Sequence, residues 1–319
     1  MVILMSYFLL VIMVLISVAF FTLMERSVLG YVHFRKGPNK VGYVGLFQPF
    51  SDVVKLYCKE VNFMSVMNLL FYLMIPFLAV ILMMAFWLIF FWSYNQFELK
   101  YAFLYFLCVS SLGVYVIFGG GWSSNSKYAL LGCYRGLAQV ISYEVSLAML
   151  LMGGVFFSGN YGVEQVVGFQ EDYWMVWGFV SLLVLWFVSL LAETNRSPFD
   201  LSEGESELVS GFNIEYGSYG FAILFMSEYG NIIFMSMITC LLFFGGVGVF
   251  CCNLLVVMSM YLLVRGTLVR YRYDKLMMMA WKGILPFSVL LLVILLSVSQ
   301  VFSFFICVIF SSVMKFLKD

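Results

Sequence analysis

Apolar residues run without a charge from Val2 to Met24, and comparable stretches recur down the chain. A hydrocarbon layer about 30 Å thick takes some 20 residues of helix. Backbone amides inside it can pair only with one another, so each stretch is predicted to be helical. The predicted limits are 2–24, 66–92, 101–118, 137–157, 174–192, 219–243, 249–264 and 284–310. Residues 229–264 carry no charge, too long a run for one crossing, and Gly245-Gly246-Val247-Gly248 is the place for a tight turn within it. Pro76 and Pro286 fall inside spans; the missing amide and the ring predict a kink in the second helix and the start or a bend of the eighth. The expected fold class is all-α, a polytopic membrane protein of about eight transmembrane helices forming a single membrane domain over 1–319. No internal repeat of the kind that builds many secondary transporters is evident.

The period changes after the first span. Phe50, Val53, Val54, Tyr57, Cys58 and Val61 recur at i, i+3, i+4, i+7 and i+8, while Ser51, Asp52, Lys55, Lys59 and Glu60 fall opposite, and Pro49 suits a first helical turn. This predicts an amphipathic helix over 49–61, lying either in the membrane interface or against other protein. Charge sets the orientation. With the N-terminus outside, 14 of the 17 Lys and Arg residues lie on one side, leaving Lys100, Lys315 and Lys318 on the other. That bias puts the inner loops 25–65, 193–218 and 265–282 on the cytoplasm-like side.

Composition removes several classes of function. Hydrophobic residues are 64% and charged residues 11% of 319, against roughly 25% charged in soluble domains. Abundant Phe and Met suit lipid contact and packing. The first run has no basic region before it and no small-residue cleavage site after it, so it is expected to be retained, not cleaved as a signal peptide. A chain this apolar is hard to import, and synthesis in the compartment of insertion is expected. The seven cysteines contain no C-x-x-C, and His33 is the sole histidine, so neither a metal nor an iron–sulfur site is expected. Gly119-Gly120-Gly121 lacks the context of a nucleotide cradle, and no basic aromatic stripe points to nucleic acid. The polypeptide is expected to hold no electron carrier of its own.

Chemistry is left to the acids. Glu193, Asp200, Glu203, Glu205, Glu207 and Glu215 crowd 24 residues beside one Arg and no Lys. Glu203 and Glu207, if helical, repel by roughly 0.2–0.5 kcal/mol. A solvated loop is the plain explanation, but Pro198, Phe199, Leu201, Leu208, Val209, Phe212 and Ile214 make this one too apolar for a free tail. Glu144 and Glu228 lie inside spans, where an ionised acid costs on the order of 2.5–3.5 kcal/mol. Each is either a polar clamp to neighbouring Ser and Tyr or a group that gains and loses a proton, as a relay requires.

The segment Glu193-Thr194-Asn195-Arg196-Ser197-Pro198-Phe199-Asp200-Leu201-Ser202-Glu203-Gly204-Glu205-Ser206-Glu207, continuing to Glu215-Tyr216, closely resembles the signature loop of the NADH dehydrogenase subunit 1 family. Arg35-Lys36-Gly37-Pro38-Asn39 with Gln48-Pro49-Phe50-Ser51-Asp52 matches that family's first loop, and Arg270-Tyr271-Arg272-Tyr273-Asp274 its last inner loop. The resemblance implies a core membrane subunit of respiratory complex I, a proton-pumping NADH:ubiquinone oxidoreductase. Such a subunit forms the membrane end of the ubiquinone chamber and the start of an acidic relay. By correspondence, Glu144, Glu193 and Glu228 are channel acids, and Glu203, Glu205, Glu207 and Glu215 are loop acids linking chamber to channel. Arg26, Arg35, Asp52, Arg196, Phe225 and Tyr229 correspond to positions that line or brace the quinone path; Arg270 and Arg272 fall near its mouth. Also implied are ubiquinone as substrate, FMN and iron–sulfur clusters in partner subunits, contacts with other membrane subunits, the hydrophilic quinone module and lipid, and a mitochondrial inner membrane or bacterial plasma membrane.

Two departures stand out. Val269 replaces a common proline before Arg270, predicting a less rigid loop, and the sixth-to-seventh connection is short and apolar. Three rivals remain at this level: a subunit of an energy-converting hydrogenase, a stand-alone proton-coupled transporter, and a purely structural anchor.

Overall fold

The first apolar run continues as helix well past its hydrophobic limit: α1 spans Val2–Val32 and carries Glu25 and Arg26 towards its C-terminal end. The computed structural model describes residues 2–61, 66–89, 99–171, 173–200, 213, 215–246, 249–298 and 300. After α1 come the amphipathic α2 (Gln48–Tyr57), α3 (Leu69–Phe86) with a 3-10 turn at Trp87–Ile89, α4 (Ala102–Ser124) and α5 (Lys127–Ser158). Two short pieces, α6 (Val163–Phe169) and α7 (Met175–Gly178), lead into α8 (Val180–Glu193). The chain ends, as described, with α9 (Ser218–Phe243), α10 (Phe250–Thr267) and α11 (Tyr273–Val298). Among the described residues there is no strand. Among the described residues seven helices are long and apolar enough to cross a membrane, and the 14-residue α8 is a shorter apolar helix. The crossing expected at 174–192 is therefore interrupted, with Phe179 (φ −135°, ψ 53°) breaking α7 from α8.

Helix ends depart from the predicted bilayer limits, and at one of them a cap is the cause. α5 starts at Lys127, ten residues before the predicted 137, because the Ser126 hydroxyl accepts from Ala129 N at 3.3 Å. α2 stops at Tyr57 and leaves Phe47, Phe50, Val53, Val54 and Tyr57 exposed on one side, in keeping with an interfacial helix. α11 starts at Tyr273, before the predicted 284. Pro286 neither starts nor breaks it: the helix widens into a π-helical turn at Met279–Ile284 just before the proline, which relieves the crowding of the ring on the preceding turn. Residues 301–310 of that predicted span, and Val247 and Gly248, lie outside the described residues. Gly245 (φ 73°) and Gly246 (φ 63°) do turn the chain between α9 and α10.

α9 is the central helix. Two-thirds of its apolar stretch is buried (67%), against 22% for α1 and α10, and it packs against α1, α2, α3 and α10. In lipid such packing rests on close van der Waals contact and small residues. Gly121 on α4 shows how close: a Cβ there meets Cys133 Cβ of α5 at 2.3 Å. Gly121→Ala is accordingly expected to destabilise the α4–α5 hairpin by about 1–3 kcal/mol, read as a lower thermal midpoint of the detergent-solubilised protein.

Three polar fastenings fix the ends of α9. Ser218 Oγ donates to Lys59 O at 2.7 Å and lies 3.2 Å from Leu56 O, tying α2 to the start of α9. Tyr216 stacks on Tyr72 at 4.4 Å, and the Tyr72 hydroxyl donates to Glu215 O at 2.7 Å. Burial pushes the Tyr216 phenol up to about 12, against a smaller opposing effect of Ser123, so it stays protonated. At the far end, buried Gln170 donates to the carbonyls of Val166, Leu241 and Leu242 and accepts from Met175 N and Gly245 N.

Candidate functional site

The site begins where α8 stops. Thr194 Oγ1 bonds back to Leu190 O at 3.0 Å, and Asn195 takes a left-handed conformation (φ 49°) that turns the chain, a geometry Asn tolerates better than most residues. Phe199 N then donates to Arg196 O at 2.8 Å. Across this turn reaches Gln139 of α5, fully buried, its amide donating to Ala192 O and Phe199 O, both at 2.8 Å. One side chain thus staples the two limbs and fixes how Glu193, Asn195 and Arg196 are presented.

Glu193 and Asn195 face a cavity of about 110 Å³ between α3, α4 and α9. Glu228, Ser227 and Asn231 of α9 line its other side, and Ala79, Leu82 and Phe86 give it apolar walls. Two of the predicted acids, Glu193 and Glu228, therefore share one chamber. Asn213 donates to the Glu228 carboxylate, and Arg196 Nη2 stands 3.9 Å from Glu228 Oε2. Glu144 of α5 does not line the cavity.

Arg196 also walls a second, smaller cavity of about 20 Å³ shared with Phe21, Glu25, Tyr229, Tyr261 and Arg265. Its guanidinium lies over the Tyr229 ring, 4.3 Å from the centroid, a cation–π contact worth up to about 2 kcal/mol when desolvated. The Tyr229 hydroxyl donates to Glu25 Oε2 at 2.5 Å, and Arg265 donates to Glu25 Oε1. Glu25 is only 6% exposed, so both its oxygens are satisfied within protein. A file of polar groups results: Glu193, the cavity, Glu228, Arg196, Tyr229, Glu25, Arg265, joined at Arg196 by charge and ring contact and at Glu25 by hydrogen bonds.

The other predicted residues sit outside this file. Phe225 packs on Tyr229, with ring centroids 5.9 Å apart. Arg26 pairs with Asp52 at 2.7 Å, joining α1 to α2, and Gln48 donates to Asp52 at 3.1 Å. Arg26 is half exposed, so Asp52→Asn is expected to cost no more than about 0.2–1 kcal/mol, a small shift in the thermal midpoint. Arg35 is solvent-exposed, as is Arg272, which pairs with Asp274 at 3.1 Å. Arg270 bonds Asp200 at 3.2 Å, Tyr271 N donates to Pro198 O at 3.0 Å, and Tyr271 packs on Phe199. The loop expected to be loose at exposed Val269 is thus fastened immediately after it. Glu215 Oε2 is buried without a hydrogen-bond partner among the described residues; Glu203, Glu205 and Glu207 lie outside them. No three His, Cys, Asp or Glu side chains among the described residues converge as metal ligands.

Sequence reasoning missed Glu25, Arg265, Gln139 and Asn231. Glu25 and Arg265 each stand at the end of an apolar run, where a charge marks a span boundary. The neutral amides gave no electrostatic signal.

Comparison with known proteins is consistent along the chain. The sequence pattern of the family described as NADH dehydrogenase matches residues 5–296. NADH-ubiquinone oxidoreductase chain 1 of Rhipicephalus sanguineus is 51% identical over 302 residues, 95% of this chain and 96% of that protein. The protein of the same name from Aedes aegypti is 50% identical over 283 residues (88% and 90%), and that from Lampetra fluviatilis 42% over 304 (92% and 95%).

Proposed function

Because this chain belongs to the NADH dehydrogenase family, in which its relatives are NADH-ubiquinone oxidoreductase chain 1, we propose that it walls the ubiquinone chamber of that complex and starts the relay coupling quinone reduction to proton translocation. The chain is a multi-pass membrane subunit of an oxidoreductase complex. Its place is the mitochondrial inner membrane, beside the other membrane subunits and beneath the hydrophilic quinone module. Inner loops 25–65, 193–218 and 265–282 of its single membrane domain face that module. FMN and iron–sulfur clusters reside in partner subunits and deliver electrons; ubiquinone is the substrate.

The observation that carries the reading is the polar file from Glu193 to Arg265 inside an otherwise apolar bundle. Lone carboxylates in hydrocarbon are costly, and two facing one cavity fit groups that exchange protons. A quinone that takes up electrons must also take up protons, and its change of charge shifts the protonation of nearby acids. Glu215, Glu203, Glu205 and Glu207 carry that change from the chamber, and Glu193, Glu144 and Glu228 pass it into the membrane. Arg196, held by Tyr229 and near Glu228, supplies the fixed positive charge against which Glu228 titrates. Arg26 with Asp52, Arg35, Phe225, Arg270 and Arg272 brace the path and its mouth. Moving a charge against 100 mV costs about 2.3 kcal/mol, so the relay runs only with quinone reduction behind it.

Glu193→Gln and Glu228→Gln test this in the assembled complex. Each is expected to lower coupled ubiquinone reduction and proton pumping at least tenfold, the rate equivalent of about 1.4 kcal/mol. Normal reduction and normal pumping in both variants would remove the relay from the account.

A further inference from the structure

Three acceptor oxygens around the larger cavity are buried without a hydrogen-bond partner among the described residues: Glu193 Oε2, Asn195 Oδ1 and Asn231 Oδ1. Proteins pair roughly nine in ten buried polar groups, so three such atoms around one space call for a shared explanation. The space is about 110 Å³; one water needs about 10–15 Å³ measured this way and two to four polar partners. Several waters fit, and the residues that carry the unpartnered oxygens line the same space as both carboxylates. The Asn195 amide has a backbone reason to be there, its positive φ. Asn231 has none: it sits within α9, where Asn is a weak helix former, on the same face as Glu228 at i+3. Whichever way its amide is turned, a polar atom that cannot itself trap a proton faces the cavity.

We infer that Asn231 and Asn195 are positioning residues that hold a chain of water between Glu193 and Glu228. Along that chain one proton leaves the carboxyl of one glutamate while another arrives on the carboxylate of its partner. O–H bonds break and form in equal number, and no electrons move. The inference rests on the relay proposed above and names what joins its two acids.

The test uses the complete complex in liposomes, with turnover normalised to NADH oxidation by a hydrophilic acceptor. Asn231→Leu keeps the side chain's approximate volume but removes its polar atoms; Asn231→Ser is smaller and leaves room for another water. The leucine variant is expected to lose about tenfold in coupled ubiquinone reduction, comparable to one hydrogen bond to a charged group. The serine variant should stay within about twofold of the parent, with a curved dependence of rate on deuterium content. A packing role predicts the reverse order: leucine tolerated in an apolar wall, serine damaging. Parent-like turnover of Asn231→Leu overturns the inference. If leucine prevents assembly, a tenfold loss in the serine variant overturns it instead. Should Glu193→Gln and Glu228→Gln be silent, the relay itself falls; should they be impaired while Asn231→Leu is silent, only the water chain falls.

Discussion

Replacing Glu25 with alanine is expected to lower ubiquinone-reductase turnover of the assembled complex at least tenfold and to lower its thermal midpoint. The carboxylate accepts from two donors at once, the Tyr229 hydroxyl at 2.5 Å and Arg265. Its loss strands a buried phenol, at about 1–3 kcal/mol. Removing one member of a fully buried ion pair costs about 3–5 kcal/mol; Arg265 is 38% exposed, and water recovers part of that. The functional loss comes one step along the file. Tyr229 is the ring beneath Arg196, and without Glu25 nothing in the file fixes its hydroxyl, so the charge facing Glu228 is less well placed. Glu25→Gln keeps an acceptor and gives up the charge, and its turnover should fall between parent and alanine. A fully assembled Glu25→Ala complex turning over like the parent sinks this expectation.

The second large effect is expected at Gln139, which touches no acid of the cavity. Gln139→Leu leaves the Phe199 carbonyl without its buried donor, a cost of about 1–3 kcal/mol. It also frees the turn that presents Glu193 and Arg196. Ala192 O keeps bonds from the end of α8, so the damage is concentrated on the far limb. Gln139→Glu should be worse than leucine, since a carboxylate would oppose two carbonyl oxygens unless it held a proton. Ubiquinone reduction measured beside NADH oxidation by a hydrophilic acceptor separates a misplaced turn from a lost complex. A glutamate variant more active than leucine contradicts the stapling role.

What could be read in the sequence follows from which signals are periodic. Eight apolar runs and the charge bias were legible because bilayer thickness and loop charge act on the linear chain. Helix ends were not: the Ser126 cap that starts α5 and the π turn that carries α11 past Pro286 are local arrangements unrelated to hydrophobic length. Glu228 and Glu144 stood out because a charge inside an apolar run is conspicuous, and the Glu193–Tyr216 segment because its motif is long. Sequence pattern could not tell that Glu228 shares a chamber with Glu193 while Glu144 is not among its lining residues. Glu25 and Arg265 meet across 240 positions, each looking like an ordinary span boundary until the helices pack. Gln139 and Asn231 are neutral; only the hydrogen bonds of the one and the cavity beside the other reveal them.

The Gln170 junction sets an order on biogenesis. Two partners, Val166 and Met175, are close in the chain, but Leu241, Leu242 and Gly245 lie 71, 72 and 75 residues further on. A ribosome-bound chain therefore leaves that amide only partly satisfied until nearly all of α9 has been made and inserted. This end of the bundle closes late in synthesis, after the acid-bearing turn at the end of α8 has left the ribosome.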